Sequence, residues 1–187
     1  NMSLEVTAKA TGGNYEPVPA GNHIARIYSI IHIGTTLEDT PWGSKEQNKV
    51  RVTFELPKVK KEFKPGEGEL PMSISRIFNI SWHEKASIRK FVKGLTGKDH
   101  EKFDIESLIG KACMLNVSHN EKGDKVYANA DTAAPLPDGV DAPEPINEAV
   151  VLNYTDKWSD VRFEMLPDFL KDMMKRTDEY KKKFNGI

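Results

Sequence analysis

Cysteine is almost missing from this 187-residue chain: Cys113 is the only one. A lone cysteine excludes an intramolecular disulfide framework and any zinc site built on several thiolates, and it fits a reducing compartment. No apolar run approaches the roughly 18 residues that cross a bilayer as a helix, and no basic segment followed by an apolar stretch opens the sequence. Neither a membrane span nor secretion is therefore expected. An excess of one charge is also missing, since 27 Lys+Arg face 28 Asp+Glu for a formal net charge of −1. The chain as a whole lacks the overall basic excess that marks many nucleic-acid binders. Internal repeats are absent. What is present, 38% hydrophobic and 29% charged residues, supports a packed core of one domain with an appendage.

The charge balance is uneven along the chain. Residues 138–160 hold one basic and six acidic side chains, with Pro143 and Pro145 among them, while the segments on either side are mildly basic. Residues 1–22 are rich in Gly and Pro and read as an arm. The run HIARIYSIIHI, residues 23–33, is β-branched and aromatic and predicts a first strand, with Ala25, Ile27, Ser29, Ile31 and Ile33 on its core face. A polar loop over 34–48 follows, with Trp42 between Pro41 and Gly43. In the second strand Val50, Val52, Phe54 and Leu56 point inward while Lys49, Arg51, Thr53 and Glu55 point outward. The third strand, residues 72–82, alternates too, although Arg76 interrupts its apolar face.

The period then changes. Ile88, Phe91, Val92 and Leu95 recur at helical spacing, and Gly94 and Gly97 end that helix. A short helix over 105–109 and two further strands, residues 111–119 and 125–133, complete a β-β-β-α-β-β order. That order predicts a mainly β fold, a five-stranded OB-like barrel over residues 23–137 with a helix between strands three and four. An acidic, proline-containing linker over 138–160 follows, holding one short strand candidate at 149–152. A C-terminal amphipathic helix over 161–187 closes the chain, with Pro167 near its start and a stripe of Leu166, Phe169, Leu170, Met173, Met174, Tyr180 and Phe184.

No catalytic motif is complete. Gly97-Lys98 ends like a phosphate loop, but Val92 and Asp99 stand where Gly and Ser or Thr are needed to cradle a phosphate. His83-Glu84 begins a zinc-protease pattern that Ser87 ends. The five histidines lack metal-ligand spacing, and Cys113 falls on the inward side of a strand, where a small buried thiol is inert. The expectation is a non-enzymatic protein with no metal and no cofactor.

A single-strand interface is more coherent. An OB barrel binds across strands two and three with help from the loops joining strands 1–2 and 4–5. Those positions carry Arg26, Tyr28, Trp42, Lys45, Lys49, Arg51, Lys122 and Lys125. Cations offset phosphate charge and release counterions, while aromatic faces stack on unpaired bases. Lys58, Lys60, Lys61 and Lys64, with Phe63 among them, extend that track or simply solubilise a hairpin. Trp42 has two roles open to it, a stacking platform or an anchor folded back on the barrel. Phe78 and Trp82 read as core rather than platform.

The runs PAGNHIARIYSIIHIGT, NKVRVTFELP, SWHEKASIRKFVKGLTGK, LIGKACMLNVSH and YANADTAAPLP resemble phage and prophage single-stranded-DNA-binding proteins of the replication module. The resemblance covers about residues 18–137, with a weaker echo in FLKDMMKRTDEYKKKF. It implies an OB-fold protein that coats and protects unwound DNA in phage replication or recombination, largely without sequence preference. It also implies the cytoplasm of a bacterial host and replication or recombination proteins as neighbours. The eight site residues come from barrel geometry, not from the resemblance. Many such proteins end in an acidic tail, whereas the acidic stretch here is internal and an amphipathic helix follows it. That departure points to docking or self-association: the helix covers its own barrel, pairs with another copy or binds a different protein, with self-association the expectation and strands two and three left free. The alternative is a non-enzymatic interaction adaptor that uses the barrel and the helix.

Overall fold

The computed structural model describes residues 16–186. Five antiparallel strands, β1 (Gly21–Thr40), β2 (Gly43–Glu62), β3 (Glu69–Asn79), β4 (Ala112–Lys122) and β5 (Lys125–Ala134), lie in the order β3-β2-β1-β4-β5. A sixth short strand, β6 (Val150–Leu152), runs parallel to residues 29–31 of β1. Helix α1 (Ser87–Thr96) and a 3-10 turn (Ile105–Leu108) bridge β3 and β4, and three short helices end the chain: α2 (Asp160–Glu164), α3 (Asp168–Lys175) and α4 (Asp178–Asn185). The fold is mainly β, as expected. The expected closure of five strands is not: among the described residues no ladder joins β3 to β5, so the six-stranded sheet is open. At one point a side chain spans the gap. Arg76 Nη1 donates to the carbonyl oxygens of Ala130 (3.0 Å) and Asp131 (2.8 Å) on β5. Its guanidinium carbon lies 4.3 Å from the ring centre of Phe78. This accounts for a cation on the inward face of β3.

The alternation of β1 holds only for its first half. Ile27 pairs with Phe54, but Ser29 pairs with Thr53, so Tyr28 is an extra residue and the strand changes face there. Ala25, Ile27 and Ile30 therefore enter the main core, beside Phe54, Phe78, Cys113 and the α1 residues Ile88, Phe91, Val92 and Leu95. Ile31 and Ile33 turn to the opposite face and form a second core with Leu152, Phe163, Leu170 and Met174. Helix α1 stops where expected, at Gly97 in the left-handed region (φ +86°), whose N–H bonds Lys93 O at 2.9 Å.

Four sequence-based boundaries move. Residues 34–48, expected as a loop, are a paired ribbon: Thr35 to Thr40 face Asn48 to Gly43 across the β1–β2 ladder, and residues 41 and 42 form the turn. The expected arm over 1–22 lies mostly outside the described residues. Within its described part, Val18 is buried in the main core and β1 begins at Gly21. Segment 138–160, expected as a linker, is bound along the sheet through β6 and through hydrogen bonds to Arg26 and Glu55. Segment 161–187 breaks into three helices because Pro167 caps α3 and Thr177, whose hydroxyl accepts from the Tyr180 N–H at 3.3 Å, caps α4. Its apolar stripe docks on its own sheet through Leu170 and Met174, both fully buried. The same helices reach the outward face of β2 at Arg51, whose guanidinium carbon lies 5.4 Å from the Phe169 ring centre, contrary to the expectation that this segment docks away from strands two and three.

Candidate nucleic-acid interface

The eight expected residues fall into separate places. At the tip of the β1–β2 ribbon, Trp42 is 93% exposed. The tip itself is well tied: the Thr40 hydroxyl donates to Gly43 O and accepts from the Trp42 N–H at 3.1 Å, and Ser44 Oγ donates to Asp39 at 2.9 Å. An indole held out on a hydrogen-bonded turn adds nothing to the core, so the anchor role is not the one observed. Lys45 lies near the same tip, exposed, across the ladder from Glu38. Lys122 and Lys125 face each other across the β4–β5 turn, both exposed.

Three others are committed to partners. Lys49 Nζ lies 2.6 Å from Glu38 Oε2, and that hydrogen bond holds the Glu38 carboxyl below its ordinary range. Arg26 donates from Nη1 to Gly110 O and from Nη2 to Pro143 O, each at 2.7 Å, and so fastens the segment after β5. Arg51 is half-buried, with its guanidinium carbon 5.4 Å from the ring centre of Phe169 on α3. Burial lowers the Arg51 pKa from its ordinary value, with the phenol of Tyr28 acting the other way. Tyr28 and Arg51 share a hollow of about 630 Å³, walled by Met165, Leu166 and Arg162 of the C-terminal helices.

Sequence reasoning missed a larger groove. Arg76 bridges the seam between β3 and β5 at Ala130 and Asp131, but earlier along both strands the seam is open. The groove there, about 820 Å³, is lined by Arg51, Lys61, Phe63, Ile77, Tyr127 and Phe169, over Met72 to Ser75 and beside Glu16 to Val18. Lys61 Nζ lies 5.7 Å from the Phe63 ring centre and 3.5 Å from Glu16 Oε1. Lys61 and Phe63 were visible in the charged run over 58–64, at the end of β2, and Tyr127 stands out as the lone aromatic of β5. Phe169 carried no such signal, because it belongs to a stripe that also holds the core residues Leu170 and Met174.

The remaining candidates are structural. Phe78 is buried, and Trp82 stacks on Phe103 at 5.8 Å between ring centres while its Nε1 donates to His100 O at 2.8 Å. Burial pushes the Cys113 thiol up to about 12, so it is not a thiolate at neutral pH. Among the described residues no three His, Cys, Asp or Glu side chains gather where a metal could sit. No helix among them is long and apolar enough to cross a membrane. No family model, curated protein or solved structure matches this chain.

Proposed function

We propose that this protein is a non-enzymatic single-stranded-DNA-binding protein built on an OB-like sheet. It coats unwound DNA largely without sequence preference, in phage replication or recombination within a bacterial cell. The observation that carries the reading is Trp42, an exposed indole fixed on a tied hairpin tip. A residue of that size left in water has no stability to offer and is suited to stacking on an unpaired base, for which every base presents a face. Three further features support it. The order β3-β2-β1-β4-β5 with a helix between β3 and β4 supports the reading because it is the element order expected of an OB fold, here in an open sheet. Lys122 and Lys125 are exposed on the β4–β5 turn, one of the two loops such folds use. The segment resemblance over residues 18–137 points to the same activity.

The test is a fluorescence titration of the full chain with oligothymidylate and with duplex DNA at several salt concentrations. Quenched Trp emission, tighter binding to the single strand and a loss of affinity with salt are expected. Equal affinity for duplex, or a response flat in salt, overturns the reading. A second reading, an interaction adaptor, is favoured by one observation: Val161 and Met165 of the C-terminal helices are largely exposed. It becomes the better account if the folded chain ignores both nucleic acids.

A further inference from the structure

The open seam between β3 and β5 carries a combination that neither a core nor a solvated face requires. Leu170 and Met174 anchor α3 in the second core, and that anchoring holds Phe169 outward over β2, 53% exposed. Phe169 reaches one side of the groove, while Phe63 and Tyr127 stand along it, each a little over a third exposed. Ser73, Ser75 and Ile77 contribute from β3. Two cations, Arg51 and Lys61, enter the same space, and among the described residues the one carboxylate lining it, Glu16, is paired with Lys61. An aliphatic or acidic-free peptide would leave Arg51 facing a neutral partner. A strand of nucleotides satisfies both sets of groups, because its bases are flat and its linkages are anionic. The volume, about 820 Å³, lies within the roughly 300–1,000 Å³ range of ligand sites.

We infer that the single strand runs through this seam and that Phe169, supplied by the C-terminal helices, is one of its stacking walls together with Tyr127 and Phe63. The inference rests on the single-strand reading above and adds to it the path of the strand. It makes the C-terminal helices part of the binding site rather than an appendage. Arg51 then serves from beneath Phe169, its charge directed into the groove instead of into bulk water.

The experiment uses the full chain and a labelled oligothymidylate read by anisotropy. Phe169→Ala and Tyr127→Ala should each weaken binding about 5- to 100-fold, as expected for a lost base stack. Phe184→Leu, at another exposed aromatic of the same helical unit, 44% exposed and outside the groove, should bind as the parent does. Because Phe169→Ala could loosen α3, a second measurement leaves the chain unaltered: photocrosslinking of an oligonucleotide carrying 5-iodouracil. Adducts on peptides holding Phe63, Tyr127 or Phe169 support the path. Parent-like affinity in Phe169→Ala, or adducts confined to Trp42 and the Lys122–Lys125 turn, overturns it while the single-strand reading stands. A parent protein that binds no oligothymidylate at any salt concentration overturns both.

Discussion

Arg26 and Glu55 face each other across the β1–β2 ladder, and both reach for the same few residues of the segment after β5. Arg26 donates to Pro143 O, while the fully buried Glu55 carboxylate accepts from the backbone N–H groups of Ile146 (2.9 Å) and Asn147 (2.8 Å) and from Asn147 Nδ2 (2.9 Å). A buried carboxylate is tolerable only when donors surround it, and here the strap provides three. The acidic, proline-containing part of this stretch, residues 143–147, is thus fixed to the sheet by polar contacts, while Leu152, Tyr154 and Trp158 further on pack into the second core.

Removing Glu55 should therefore cost stability rather than affinity. Glu55→Ala takes the acceptor from three part-buried bonds donated by Ile146 and Asn147, a loss of about 1–3 kcal/mol. Arg26→Ala should cost about 1–2 kcal/mol through two lost charge-assisted bonds. Urea melts of both variants provide the measurement, and folded Arg26→Ala should retain its affinity for oligothymidylate. A stable Arg26→Ala that no longer binds would return Arg26 to the interface.

The C-terminal helices are latched at the root of the ribbon, and this latch should respond to acid. Glu179 accepts from the Thr35 N–H (2.6 Å) and hydroxyl (2.7 Å), and the Tyr154 hydroxyl donates to Ile33 O at 2.8 Å. Burial opposes ionisation of Glu179, but the two Thr35 bonds and the nearby His32 outweigh it, so its pKa falls below the ordinary 4.5. A carboxylate with a lowered folded-state pKa contributes stability above its unfolded value and loses it as pH falls through the folded one. Glu179→Gln should thus narrow the gap between melting temperatures at pH 7 and at pH 3 to 4. An unchanged acid limb in the variant would show that this latch carries no proton linkage.

Gly34 sits inside the same latch. A Cβ there would stand 2.7 Å from Thr177 Cβ and 2.8 Å from Glu179 Oε1, on a backbone at φ +116°. Gly34→Ala should destabilise the protein by about 3 kcal/mol, part from the unfavourable φ and part from overpacking. A calorimetric melt within a degree of the parent would contradict the close approach.

Much of this was legible from periodicity, and the rest was not for identifiable reasons. The inward residues of β2, Val50 to Leu56, and the buried face of α1 follow from strict alternation and from i, i+3, i+4 spacing. The change of face at Tyr28 did not, because residues 24–33 carry large apolar side chains on both faces and a bulge leaves no mark in such a run. The ribbon over 34–48 is polar on both faces, so its pairing rests on backbone bonds that composition does not reveal. Among the site residues, Trp42 was legible because Pro41 and Gly43 bracket it. The engagement of Lys49 by Glu38 and of Arg26 by the strap depends on pairing and on distant segments, which local sequence does not encode.

The exposed lysines of the β4–β5 turn offer a reading of phosphate contact free of folding effects. Lys122 and Lys125 oppose each other across the turn and lie in solvent. If both contact phosphates, Lys122→Ala with Lys125→Ala should make the slope of log K against log salt shallower by about 1.4, from roughly 0.7 per contact on a single strand. The melting temperature should hold. An unchanged slope would remove this turn from the interface.

Trp42 gives the sharpest test, because its two possible roles move different observables. As a stacking platform, its replacement by Ala removes a base contact and weakens single-strand binding by about 1–3 kcal/mol. Its indole is 93% exposed, so almost no buried apolar area is lost with it and the melting temperature should stay within a degree or two. The turn should also survive, since the Thr40 and Ser44 side-chain bonds that tie it do not involve the indole. Trp42→Phe should recover part of the affinity, as a smaller face still stacks. A variant that keeps its affinity and melts several degrees lower would make Trp42 an anchor after all. The strand would then have to be held by the β3–β5 seam and the β4–β5 turn alone.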